Sequence, residues 1–140
     1  MKNYIGIDLG SKTIGISIST SGIIAQSLTT YRFKENDYNE AANIIVSVIE
    51  KYHITDVVIG YPKHMNNDVG LRGKISEKLK EDILKLKHVN IILWDERLST
   101  KSALDVMIKG GQSRKKQKQK KDELAATLIL QNYLDYKGDH

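Results

Sequence analysis

Three carboxylates stand where a buried acid would need a compensating partner. Asp8 lies within the apolar run of residues 4–9, Glu96 follows the apolar run of residues 89–94, and Asp122 opens a predicted helix and shares its apolar face. A desolvated, unpaired carboxylate costs several kcal/mol, so each position calls for a cation. A core Arg or Lys could supply it at any one position. Three such acids together favour one shared divalent cation.

Oxygen ligands alone favour a hard cation such as Mg²⁺ or Mn²⁺, and a chain without cysteine has no thiolate zinc site. Two such ions about 4 Å apart can activate a water and stabilise the leaving oxygen of an in-line phosphoryl displacement. The carboxylates would serve as the anions that fix the two metal ions. The sequence therefore predicts Asp8, Glu96 and Asp122 as the metal-binding and catalytic residues of a phosphodiester hydrolase.

Each of these acids also fits a structural role when it is considered alone. Asp122 could be a first-turn helix acid that interacts with the helix dipole. Asp95 and Glu96 could form a local ion pair with Arg97. The sequence leaves open whether Asp95 joins Glu96 in the site, and the metal interpretation depends on the three positions together.

The basic residues are concentrated in one segment. The chain has 22 Lys and Arg against 17 Asp and Glu, and residues 109–121 contain many of these bases and no acid. Nucleic acid is the natural partner, because each neutralised phosphate releases condensed counterions. A solvated charge run that only aids solubility is the alternative. The residues predicted to bind nucleic acid are Lys12, Arg72, Arg97, Arg114, Lys115, Lys116 and Lys118.

Hydrophobic periodicity and turn residues predict the elements that position these side chains. Strands are predicted at residues 4–9, 13–19, near 23–32, 55–60 and 89–94. Helices are predicted at about residues 38–52 with Asn36 or Asp37 as cap, at 71–87, from Ser99 or Thr100 to Gly110-Gly111, and from Asp122 onward. The basic segment between the last two helices is predicted to be a loop.

These elements give the order βββαβαβα, in which the final α stands for two consecutive helices. With 140 residues and no linker or repeat, the chain is predicted to be one α/β domain over residues 1–140, with a mixed five-stranded sheet flanked by helices. Trp94 is expected in the core. The lack of cysteine and of any apolar run near ~18 residues predicts a cytoplasmic protein without a membrane partner.

Four ordered motifs span nearly the whole chain. They are residues 5–15, Gly60-Tyr61-Pro62 with Met65-Asn66 and Gly70, residues 94–100, and Ser113-Arg114-Lys115 leading to Asp122-Ala125-Ala126. Together they resemble the YqgF family, also called the RuvX family, within the RNase H-like superfamily. The resemblance implies an RNase H-like fold, with metal ligands that map onto Asp8, Glu96 and Asp122. These are the residues that the carboxylate pattern selects.

The resemblance further implies a nuclease that trims the 5′ end of the bacterial small-subunit ribosomal RNA precursor, with ribosomal particles as a further partner. An older assignment of the family, the resolution of four-way DNA junctions, stays open. So do the choice between a monomer and a homodimer and that between endonucleolytic and exonucleolytic cutting. Three residues depart from the family pattern in ways that bear on substrate fit: Tyr61 for Leu, Asn67 for Gly and Ser99 for Thr.

Two other classes of function compete with the nuclease. Residues 8–13 also resemble the first phosphate motif of the actin and hexokinase superfamily, but those enzymes bind nucleotide between two lobes and this chain has room for one. The other alternative is a non-catalytic nucleic-acid or ribosome-associated module, in which the acids are structural. Such a module would show salt-sensitive binding without metal dependence.

Overall fold

The computed structural model describes residues 2–61, 70–95 and 114–139, with only the backbone for 114–122 and 139. Within these ranges the elements follow the predicted order βββαβαβα. The strands are β1 (Tyr4–Leu9), β2 (Thr13–Ser19), β3 (Gln26–Arg32), β4 (Asp56–Tyr61) and β5 (Asn90–Asp95). The helices, numbered here in chain order, are α1 (Tyr38–Tyr52), α2 (Leu71–Leu86) and α3 (Arg114–Asp139). The helix predicted between residues 99 and 111 lies outside the described residues.

The strands form one five-stranded sheet in the order β3-β2-β1-β4-β5. β2 pairs antiparallel with β1 and β3, whereas β4 pairs parallel with β1 and β5. The predicted mixed α/β sheet is therefore confirmed. Because four of the strands run in one direction, their carboxyl ends share one edge, which is called the C-terminal edge below.

Helices α1 and α2 cover one face of the sheet, called the α1/α2 face. Alternation along β1 and β2 sends their isoleucines to this face, where they pack against both helices. α1 begins after Asp37, whose side chain accepts a hydrogen bond from the Glu40 N–H at 3.1 Å and so satisfies one of the free donors of the first turn. The fully buried members of this core include Ile5, Ile7, Ile14, Ile16, Ile45, Ile49, Ile59, Leu79 and Ile83.

Helix α3 covers the opposite face, called the α3 face, and packs there through Ile129, Leu130 and Leu134. It is 26 residues long and begins at Arg114 rather than at Asp122. The prediction of a loop is therefore wrong for residues 114–121. Lys, Arg and Gln have high intrinsic helix propensity, and no Gly or Pro interrupts this stretch. No described helix contains a stretch long and apolar enough to cross a membrane.

Candidate active site

Asp8 lies on the central strand β1 and faces α3. Tyr4 and Gly6 share this face, because the Tyr4 ring contacts the Tyr133 ring of α3 and a Cβ at Gly6 would lie 2.7 Å from the Ala126 carbonyl oxygen. Successive strand residues face opposite sides, so Asp8 faces α3 as well. Asp8 is half-buried, whereas the other residues of β1 are buried.

Glycines flank Asp8 on both neighbouring strands. Asp8 pairs with Gly15 of β2, and the β1–β4 register, carried one residue beyond Ile7↔Ile59, sets it beside Gly60. The residues directly opposite Asp8 on the two neighbouring strands thus have no side chain. The row of residues across the sheet at this level, called the Asp8 row, is Thr30, Gly15, Asp8, Gly60 and Trp94.

The first described side chains of α3 lie over one end of the Asp8 row. The Ser17 hydroxyl donates to the Ala126 carbonyl at 2.8 Å, and the Thr30 hydroxyl, in the row itself, donates to Glu123 Oε1 at 3.5 Å. Asp122 immediately precedes Glu123 in the helix. The α3 backbone therefore carries Asp122 at the level of the row, while its side chain lies outside the described residues.

Asp95 ends β5 on the face opposite to Asp8. It pairs with Tyr61 of β4, and Leu93, two residues earlier, packs in the core beneath α1 and α2. Strand alternation therefore places Asp95 on the α1/α2 face, apart from Asp8.

Among the predicted metal ligands, Asp8 has a described side chain, whereas Glu96 lies outside the described residues and Asp122 is described by its backbone. Within the side chains that the structure describes, no group of three His, Cys, Asp or Glu could hold a metal ion.

Two of the predicted nucleic-acid-binding residues lie at the C-terminal edge near Asp8. Lys12 is exposed in the turn between β1 and β2, and this turn is held by a 3.1 Å hydrogen bond from the Phe33 N–H to the Lys12 carbonyl. Arg72, in the first turn of α2, donates from its guanidinium to the Leu9 carbonyl. Arg97 lies outside the described residues, and Arg114, Lys115, Lys116 and Lys118 occupy the start of α3.

Sequence reasoning missed Arg32, which ends β3. Arg32 lies two residues after Thr30 and pairs with Thr13, so it faces α3 beyond the Asp8 row. Its side chain is exposed and, within the described residues, forms no ion pair. Its position at the end of a strand was visible in the sequence, but the face it shares with Asp8 depends on the sheet register.

Tyr61 and Glu77 form a second contact that sequence reasoning missed. The Tyr61 hydroxyl donates to Glu77 Oε1 of α2 at 2.5 Å. This hydrogen bond, together with desolvation and the charge of Glu77, raises the pKa of Tyr61 to about 12. The departure from the family pattern at Tyr61 is therefore accommodated by a polar contact to α2.

Trp94 closes the far end of the Asp8 row. Its ring packs edge-on against Tyr133 of α3, with 5.6 Å between centroids, and also contacts Tyr136. The prediction of a core residue is confirmed only in part, because Trp94 packs against the α3 core but remains half-buried. Among the described strands β5 lies at the edge of the sheet, so none of them covers the outer side of the ring.

A mixed five-stranded sheet, with an acid on its central strand and a long helix across that face, defines an RNase H-like domain. Solved structures support this fold. RuvC of Thermus thermophilus in complex with a Holliday junction substrate aligns with a TM-score of 0.62 and 12% identity, over 99% of this chain and 97% of RuvC. A second Thermus thermophilus RuvC structure aligns with a TM-score of 0.60 and 11% identity, over 97% of this chain and 96% of that one.

The chain belongs to the family described as RuvX: Holliday junction resolvase, whose model matches residues 2–136. A protein of Onion yellows phytoplasma (strain OY-M) named "Putative pre-16S rRNA nuclease" is 48% identical over 133 residues, which cover 94% of this chain and 88% of that protein. A protein of the same name from Staphylococcus carnosus (strain TM300) is 44% identical over 133 residues, 94% of each chain. The predicted family is confirmed, and the chain is a nuclease by class rather than an ATPase or a non-catalytic module.

Proposed function

We propose that this chain is a divalent-metal-dependent endonuclease that processes the 5′ end of precursor 16S ribosomal RNA and meets its substrate on ribosomal particles. The observation that carries the proposal is the half-buried Asp8 carboxylate, on the central strand, between two glycines and on the face that α3 covers. The names of the curated relatives support the choice of RNA substrate.

The proposed ligands of two Mg²⁺ or Mn²⁺ ions are Asp8, Glu96 and Asp122. The described part of the site fits such ions, because Asp8 offers carboxylate oxygens as ligands, is only half-buried and lies between glycines of the two neighbouring strands. Glu96 is proposed rather than Asp95 because Asp95 lies on the α1/α2 face, away from Asp8. When bound, the cations lower the pKa of the attacking water and offset charge on the phosphate.

Basic side chains around the C-terminal edge are proposed to hold the RNA backbone. Lys12 and Arg32 are exposed there, and Arg32 shares the face of Asp8. The remaining proposed contacts are Arg97, Arg114, Lys115, Lys116 and Lys118. Because such contacts neutralise phosphates, RNA binding should weaken steeply as the salt concentration rises.

Cleavage of four-way DNA junctions is the second candidate function. The description of the family and the RuvC-like fold favour it. Both functions use the same proposed acids and differ in the nucleic acid that the surrounding surface accepts.

The decisive experiment incubates the purified chain with labelled precursor 16S rRNA and with a labelled four-way DNA junction, each with Mn²⁺, Mg²⁺ or EDTA. Asp8→Asn is the test variant, and Asp95→Asn is the matched control because Asp95 lies on the opposite face. We expect RNA cleavage that requires a divalent cation. Asp8→Asn should lose more activity than the roughly 100-fold that the loss of an outer-shell partner of a metal costs, while it still folds and binds RNA.

Each result has a distinct meaning. Cleavage by Asp8→Asn at the wild-type rate, or in EDTA, would contradict the proposed site. Cleavage of the DNA junction alone would favour the second function. RNA binding without cleavage by the wild-type chain would contradict the proposed endonuclease on this substrate.

A further inference from the structure

Three side chains in the first two turns of α2 contact the carboxyl ends of β1 and β4. Arg72 donates to the Leu9 carbonyl of β1. The Ser76 hydroxyl lies 3.3 Å from the Gly60 carbonyl of β4 and 3.3 Å from the Arg72 carbonyl of its own helix, and its single proton is available to either acceptor. Tyr61 follows Gly60 in β4, and its hydroxyl donates to Glu77. These three residues, Arg72, Ser76 and Glu77, are called the α2 brace.

The Arg72 contact lies directly beside the proposed catalytic acid. Leu9 follows Asp8, and the paired residues of β1 and β4 end at Ile7↔Ile59, so the Leu9 carbonyl lies beyond the parallel ladder. A buried or half-buried carbonyl needs a donor, and a guanidinium supplies a charge-assisted one in a fixed planar geometry. Arg72 thus fixes the Leu9–Gly10 peptide, one residue beyond Asp8.

The other two contacts fix the neighbouring strand at the same level. Gly60 stands beside Asp8 in the Asp8 row, and its carbonyl lies within hydrogen-bond distance of the hydroxyl of Ser76, a residue that is itself buried. Tyr61 is buried and is held by Glu77. The α2 brace therefore holds the backbone of both strands where the Asp8 carboxylate must be placed.

We propose that Arg72 is a positioning residue, which orients the Asp8 carboxylate through the Leu9 peptide, and not a contact to a substrate phosphate. This rests on the proposed function, because it assigns Arg72 a role toward the Asp8 site. It differs from the expectation drawn from the sequence, in which Arg72 binds nucleic acid.

The two roles predict opposite results for binding and for catalysis. A phosphate contact releases counterions, so its loss lowers the slope of log affinity against log salt by about one and weakens RNA binding. The loss of a positioning residue leaves that slope unchanged. It lowers kcat and the affinity of the site for metal by ~10–100-fold, the usual effect of removing a group that orients a metal ligand.

The test compares wild type, Arg72→Gln, Arg72→Lys, Asp8→Asn and the control Lys74→Gln, which removes an exposed charge from the same end of α2. Four quantities are measured: kcat and KM for precursor rRNA, the salt dependence of RNA binding in EDTA, the affinity for Mn²⁺ by calorimetry without RNA, and folding by circular dichroism. The metal titration and the binding slope do not depend on cleavage.

We expect Arg72→Gln to lower kcat and Mn²⁺ affinity by ~10–100-fold with KM and the salt slope unchanged. Arg72→Lys, which keeps the charge and one donor, should recover part of kcat, and Lys74→Gln should match wild type. A fall in the salt slope with kcat and Mn²⁺ affinity retained would overturn the proposal in favour of a phosphate contact. If Arg72→Gln does not fold, Arg72→Lys decides. Lower kcat and Mn²⁺ affinity with an unchanged salt slope would support the proposal, and a changed KM and salt slope with wild-type kcat and Mn²⁺ affinity would overturn it.

These outcomes separate the failure of this proposal from the failure of the proposed function. Cleavage by wild type and its loss in Asp8→Asn establish the site, whatever Arg72 does. If wild type does not cleave, the proposed function fails, while the Mn²⁺ affinity of the Arg72 variants still tests whether Arg72 positions Asp8.

Discussion

The two faces of strand β1 differ in what they bury. Ile5, Ile7 and Leu9 face α1 and α2 in a continuous apolar layer. Tyr4, Gly6 and Asp8 alternate with them and face α3. Burial of aliphatic side chains stabilises the first face by roughly 1.5–3 kcal/mol for each one, whereas Gly6 and Asp8 contribute little of that kind.

This difference separates stability from chemistry within one strand. The α1/α2 face supplies the apolar burial that holds the sheet, so the α3 face can carry a carboxylate, glycines and a close helix contact. The two faces should therefore respond differently to substitution. Changes in the apolar layer beneath α1 and α2, which excludes the α2 brace, should alter stability alone, and changes beneath α3 should alter both stability and activity.

The largest expected loss of stability comes from the α1/α2 face. Ile45→Ala would remove a fully buried side chain of α1 and leave a cavity, which should lower the free energy of unfolding by about 2–5 kcal/mol. Chemical denaturation measures this loss, and nuclease activity per folded molecule should stay at the wild-type value.

The control for this prediction is Ile23→Ala, because Ile23 is 70% exposed. Its effect should stay within about 0.5 kcal/mol. Equal losses in the two variants, or a loss of specific activity in Ile45→Ala, would contradict the separation of the two faces.

A smaller effect on stability, with an added effect on activity, is expected from Gly6→Ala. The new Cβ would lie 2.5 Å from Ser17 Oγ and 2.7 Å from both the Ala126 carbonyl oxygen and Leu130 Cβ, so α3 must move away from the sheet. Overpacking of this kind should cost about 1–3 kcal/mol. Because α3 carries Asp122, nuclease activity per folded molecule should fall as well.

Gly138→Ala is the matched control, because a Cβ at Gly138 meets nothing within 4 Å. It should leave the free energy of unfolding and the nuclease activity close to wild type. A Gly6→Ala variant with wild-type specific activity would show that the close approach of α3 is not needed by the site.

The smallest effect is confined to alkaline pH and tests the polar contact between β4 and α2. The pKa of Tyr61 is raised to about 12 in the folded chain, above roughly 10 for an unfolded tyrosine. The neutral hydroxyl thus contributes stability that is complete below pH ~10 and is lost as the pH rises toward the folded pKa. The difference in unfolding free energy between wild type and Tyr61→Phe should shrink over this range.

If the Tyr61→Phe difference is constant from pH ~10 to ~12, the Tyr61–Glu77 hydrogen bond does not raise that pKa.

Much of the fold followed from local patterns. Alternating isoleucines predicted β2, and the Asp37 cap with its apolar stripe predicted α1 at the observed bounds. The start of α3 was placed too late, because the sequence was divided where its charge changes. Helix propensity does not change at that point, so the helix extends back to Arg114.

The sequence predicted which residues form the candidate site but not how they are arranged in space. Asp8 was predicted as a site residue because burying a carboxylate within an apolar strand is costly. This argument is local and does not depend on the register between strands. The glycines beside it, the face of Arg32 and the Arg72 contact depend on which strands are neighbours, and this is fixed by long-range pairing. A glycine within a strand was the available signal for the close approach of α3 at Gly6.

The connection between Ser17 and Ala126 joins residues that are far apart in the chain, and Lys137 similarly donates to the Tyr4 hydroxyl. Synthesis from the N-terminus therefore completes all five strands, α1 and α2 before it produces α3. During that interval the apolar layer under α1 and α2 can form, while Tyr4, Val58 and Asp8 remain open to water. If Asp122 is a metal ligand as proposed, the order of translation delays the nuclease activity until the strands and the other described helices have been made.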